Sequence, residues 1–155
     1  MHSDEAQQSA EAEVTGMAYG ARTAYWVIAW LFVAALLAQV YLIGLAFLAA
    51  QPTLEPHVGL GHTLGILLLP LLVLTYVARH PRSLKYRTWL LFGVYIMQAE
   101  VFAVIRSSVP VVAALHPVLA LVLFWLAVTV AVRSRAYVGR RVPSQATASH
   151  SAEAT

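Results

Sequence analysis

Cysteine is absent from this chain and charge is scarce, only 11% of its 155 residues being Asp, Glu, Lys or Arg. Without thiols there are no disulfides, iron–sulfur clusters, thiolate-ligated haem or covalent c-type haem attachment. Any metal has to be met by histidine, carboxylate or neutral oxygen. A soluble domain carries roughly a quarter charged residues, whereas here 60% of residues are hydrophobic and the mean hydropathy is +0.71. The alternation of apolar and polar residues that marks barrel strands is also missing. Runs such as GILLLPLLVLTYVA are apolar on every face, so helices have to satisfy the backbone in lipid.

Four apolar stretches, approximately Tyr25 to Ala50, Val58 to Ala78, Thr88 to Ile105 and Val109 to Val132, each approach the roughly 20 residues of a bilayer-crossing helix. They predict an all-α fold, a four-helix transmembrane bundle over residues 23–134. Residues 1–22 and 135–155 are expected as disordered cytoplasmic tails, and the first lacks the basic start and short apolar core of a cleavable signal. Net charge is +3 and the pI near 9.5, yet the basic residues sit beside the spans, which argues for topology signals and against nucleic acid. Arg79, Arg82, Lys85 and Arg87 fill the second link, and Arg133, Arg135, Arg140 and Arg141 follow the last span. By the positive-inside rule, both termini are expected in the cytoplasm of a bacterial inner membrane. His57, His62 and His116 then fall near the outer face, while His2, His80 and His150 read as solvated polar chain.

Trp30, Gln39 and His57 recur as Trp89, Gln98 and His116, each shifted by 59 positions. Both halves run out and back, so the pattern implies two parallel two-helix repeats that bring one histidine from each hairpin together. Two imidazoles on facing helices suit axial ligation of a b-type haem inside a bundle. Gly61 and Gly65 lie at i+4 and i+8 from His57, and Ala120 lies at i+4 from His116, where small residues leave room for a macrocycle or for another helix. His57 and His62 are about 140° apart around a helix, so they cannot share one small site. Repeat register and the glycine face favour His57. Membrane depth favours His62, because His62 and His116 each precede a cytoplasmic arginine by 17 residues. We take His57 and His116 as the metal ligands, with His62 as the alternative.

Arg106 is a candidate partner for a haem propionate, and Glu55 a candidate to orient His57. Pro56 suits a first helical turn, whereas Pro117 is expected to bend the fourth helix. Glu100 is costly in hydrocarbon, which makes it a functional candidate with Gln39, Tyr41 or His62 as partner. Gln39 and Gln98 are expected to bond across the repeat axis.

The phrase EPHVGLGHTLG before a leucine-rich span, followed by ALHPVLALVLF, resembles an uncharacterised family of small four-helix bacterial membrane proteins. More remotely, the arrangement resembles one four-helix half of haem A synthase, whose halves carry haem-ligand histidines on their second and fourth helices. That resemblance implies His57 and His116 as ligands, although Val58 stands where the synthase pattern has arginine. The leading expectation is a membrane protein binding one haem b for electron transfer, haem handling or sensing, with no catalytic residue assigned. The alternatives are a cofactor-free subunit or assembly partner that contacts a membrane protein or a second copy of the chain, and a small transporter using Glu100 and the glutamines.

Overall fold

A computed structural model describes residues 2–48, 53–105 and 107–139. The first helix, α1 (His2–Leu48), is followed by α2 (Glu55–Thr63), α3 (Gly65–Val77), α4 (Arg82–Ile96), a π-helical turn (Met97–Val101), α5 (Phe102–Ile105), α6 (Pro110–Ala113) and α7 (His116–Arg135). These elements compose four stretches long and apolar enough to cross a membrane: Gly16–Leu48, Glu55–Val77, Arg82–Ile105 and Pro110–Arg135. The chain is thus a four-helix membrane bundle. Leu48, Val111, Phe47 and Leu121 stand among many large exposed apolar side chains, as expected where lipid replaces water as solvent.

Three boundaries depart from the sequence reading. Residues 2–22 continue α1 where a disordered tail was expected. Ala, Glu and Gln are strong helix formers, and extension from an existing helix avoids the cost of a new nucleus. The third span starts at Arg82, with extended Pro81 before it, so Arg82, Lys85 and Arg87 belong to the helix and not to the link. Lys85 lies over the Tyr76 ring, and the Arg87 guanidinium donates to the Ser83 carbonyl. Pro117 falls in the first turn of α7, where its missing N–H costs nothing; the fourth span is instead interrupted between α6 and α7. Of the expected C-terminal tail, residues 140–155 lie outside the described residues.

The spans pack as a ring in chain order, the last closing against the first, so that the first faces the third and the second faces the fourth across the centre. Burial repeats with the period seen in the sequence. Tyr25, Ala29, Phe32, Leu36 and Gln39 are buried, and so are Leu84, Thr88, Leu91, Tyr95 and Gln98, each 59 residues later. Leu64, Leu68, Leu71 and Thr75 are likewise matched by Leu123, Ala127, Val130 and Ser134. The two hairpins therefore present equivalent faces to one core, which puts the starts of the second and fourth spans opposite each other.

Candidate functional site

His57 occupies the first turns of α2 and His116 opens α7, at the end of the bundle away from the N-terminus. Their ring centroids are 6.2 Å apart and their planes are inclined by 72°. The His57 Nδ1 faces the Gln39 carbonyl at 3.2 Å; a carbonyl only accepts, so Nδ1 carries the proton and Nε2 keeps its lone pair. On the other hairpin, the Gln98 side-chain amide donates to the His116 carbonyl at 3.0 Å. In each hairpin, the glutamine 18 residues before the histidine holds it. Phe102 supports the second ring, with centroids 6.1 Å apart.

An apolar cleft of about 420 Å³ opens beside the pair. Ile43 and Phe47 of the first span, Leu54 and Val58 around the start of α2, and Phe102 and Ala113 from the other hairpin contribute to its walls. His57, His116, His62, Gly61 and Gln98 also line it. His62 points elsewhere from the pair: its Nδ1 meets Glu100 Oε1 at 2.9 Å, which settles which of the expected partners Glu100 takes.

The small residues are used differently from expectation. A Cβ on Gly65 would stand 3.0 Å from the Tyr95 hydroxyl, and one on Gly61 would stand 3.2 Å from the Gln39 amide. These glycines admit side chains of neighbouring spans, and Gly65 and Ala120 are not part of the cleft wall. Gln39 and Gln98 serve their own histidines and do not bond one another; the Oε1 of each is buried without a partner. Glu55 is exposed, its backbone N–H is taken by Thr53 Oγ1, and the Gln39 carbonyl orients His57 in its place. Arg106 lies outside the described residues.

Tyr95 and His80 carry roles that the sequence reading missed. The Tyr95 hydroxyl accepts from the Gly65 N–H at 2.9 Å and faces the carbonyls of Gly61 at 3.0 Å and His62 at 2.9 Å. His80, expected in solvent, is 3% exposed and lies between the rings of Tyr25 and Tyr137 at the other end of the bundle. A tyrosine facing two glycines one turn apart is a signal that becomes readable only once the spans are paired. For His80, flanked in sequence by Arg79 and Pro81, no local signal exists.

Among the described residues, no group of three or more His, Cys, Asp or Glu side chains is placed to hold a metal ion. The convergent pair of imidazoles is what the site offers. The profile of DUF6220, a family of unknown function, matches residues 39–104. The matched segment includes Gln39, His57, His62, Gln98 and Glu100 and ends before His116. No curated protein and no solved structure matches the chain, so the likeness to haem A synthase finds no support there.

Proposed function

We propose that this protein holds one b-type haem between its second and fourth spans, where His57 and His116 are the residues that would hold it, and that it passes electrons in the membrane. The observation that carries the reading is the imidazole pair itself. The His57 and His116 rings lie 6.2 Å apart by centroid, so two imidazoles from facing spans would be on offer to one metal ion. Two protein nitrogens suit a metal whose other ligands come from a macrocycle. The apolar cleft of about 420 Å³ falls within the roughly 300–1,000 Å³ common for small-molecule sites.

The chain's own contribution is orientation and electrostatics. The Gln39 carbonyl fixes the His57 tautomer and strengthens its Nε2 as a donor, the usual task of a group hydrogen-bonded behind a ligand. The Gln98 side-chain amide, bonded to the His116 carbonyl, positions the start of α7. Bound here, haem would supply reversible one-electron chemistry. Clustered Arg and Lys at the opposite end favour an orientation with both termini in the cytoplasm and the histidine pair near the outer face.

The test is purification in detergent from cells supplied with haem precursor, followed by reduced-minus-oxidised absorption. Sharp Soret and α bands are expected, and they should be lost in both His57→Ala and His116→Ala. Absence of haem, or full retention of the bands in both variants, overturns the reading and leaves a cofactor-free membrane subunit as its successor.

A further inference from the structure

The end of the bundle away from the histidine pair carries a second repeated arrangement of side chains, none of which lines the cleft. Lys85 Nζ lies 4.7 Å from the centroid of the Tyr76 ring, across the seam between α3 and α4. Arg135 Cζ lies 5.5 Å from the centroid of the Trp26 ring, across the seam between α7 and α1. Lys85 and Trp26 are 59 positions apart, and so are Arg135 and Tyr76. The same two positions of each repeat thus meet as cation and ring, with the roles exchanged. One turn deeper, at i+4 from Trp26 and Lys85, Trp30 and Trp89 form a further repeat pair, and both are exposed.

We propose that these two seams are equivalent binding sites for an acidic glycerophospholipid, one lipid at α3/α4 and one at α7/α1, with Lys85 and Arg135 as the phosphate-binding cations. A basic side chain held against an aromatic face is attracted to it and keeps its outward N–H donors for an anion. Being ordered beforehand, it gives up less freedom on binding. At the first seam the Trp89 indole N–H donates to the Tyr76 hydroxyl at 3.0 Å, so the proton of that hydroxyl remains for a lipid oxygen. At the second, the planar fork of Arg135 suits a phosphate. The cations stand at the ends of the spans, which run to Val77, from Arg82 and to Arg135. Trp30 and Trp89, about 6 Å deeper, occupy the interfacial layer that indole rings favour. A water-soluble anion would match the charges and leave these tryptophans unused. Exposed Arg79, Arg82 and Arg133 add positive charge at the same end, while Glu55 and Glu100, the carboxylates of the spans, lie toward the histidine pair. The two sites are separate from the cleft and stand whether or not haem is bound.

The full chain, purified in a neutral detergent, is titrated with dioleoyl phosphatidylglycerol, and bound lipids are counted by native mass spectrometry with dioleoyl phosphatidylcholine as control. Two saturable sites for phosphatidylglycerol are expected, which phosphatidylcholine does not fill at the same concentration. Lys85→Gln and Arg135→Gln should each weaken one site about fivefold and leave the other intact, and the double variant should weaken both, the effect of one charge each at an acidic lipid surface. Monodisperse elution of the variants shows that they remain folded. Equal filling by phosphatidylcholine, fewer than two sites weakened in the double variant, or displacement of the lipid by excess inorganic phosphate overturns the inference.

Discussion

His57 is held by the backbone carbonyl of Gln39, so its ring depends on the position of a main chain more than on a mobile partner, whereas His116 is held through its own carbonyl by the Gln98 side-chain amide. These residues were legible in the sequence because a triplet of rare polar types recurs with one spacing. The role of the glutamines was not, since their amides were free to turn toward each other or toward their own hairpins. His80 shows where residue-level reading ends: Tyr25 and Tyr137, which enclose it, lie more than fifty residues away on either side. Burial, assisted by the Arg22 and Lys85 charges, lowers its pKa from 6.5 to about 4. The unfolded chain therefore binds the extra proton between those values. Stability present above about pH 6.5 declines as the pH falls and is lost near pH 4, by on the order of 3 kcal/mol for this group. Denaturant titrations in detergent should show a smaller loss between about pH 7 and about pH 4.5 for His80→Phe than for the natural chain. Equal losses would refute this account of His80.

The second span divides into α2 and α3 because the Tyr95 hydroxyl enters the ladder between the Gly65 N–H and the Gly61 carbonyl. Insertion of a side chain there is a recognised cause of helix breaks. Leu36 is the repeat counterpart of Tyr95, so the first hairpin sends no such hydroxyl into α7, which runs unbroken from His116 to Arg135. The third span carries its own irregularity at Met97–Val101, where a π turn includes both Gln98 and Glu100. One extra residue in the turn changes the helical phase by roughly 100°, a device frequent at functional sites. The four elements were legible from apolar length. These interruptions were not, because each is produced by a contact between spans. Gly65→Ala should destabilise the protein by about 1–3 kcal/mol, since its Cβ would press on the Tyr95 hydroxyl, and Tyr95→Phe by about 1 kcal/mol. Denaturation of the double variant should show a cost below the sum of the two. Strict additivity would mean that the two positions do not interact.

At the scale of the molecule, the repeat explains why one end of the bundle brings two histidines together while their neighbours His62 and Glu100 have no such symmetry. Among the described residues, ten pairs of positions separated by 59 residues are buried at both members, from Ala21 with His80 to Thr75 with Ser134. Equivalent faces make equivalent hairpins meet about a common centre, which brings His57 and His116 across from each other. Sequence composition was enough to identify the membrane bundle and its number of spans, and the repeat was enough to pair the histidines. The His62–Glu100 pair was only half visible: Glu100 stood out as an intramembrane carboxylate, but its pairing with His62 depends on how the second and third spans meet. Electron paramagnetic resonance of the oxidised, haem-loaded protein tests most directly whether the repeat delivers two axial nitrogens to one iron. The account predicts a low-spin ferric signal that becomes high-spin in His57→Ala and in His116→Ala; a high-spin signal in the natural chain, or a low-spin signal surviving in both variants, would contradict it.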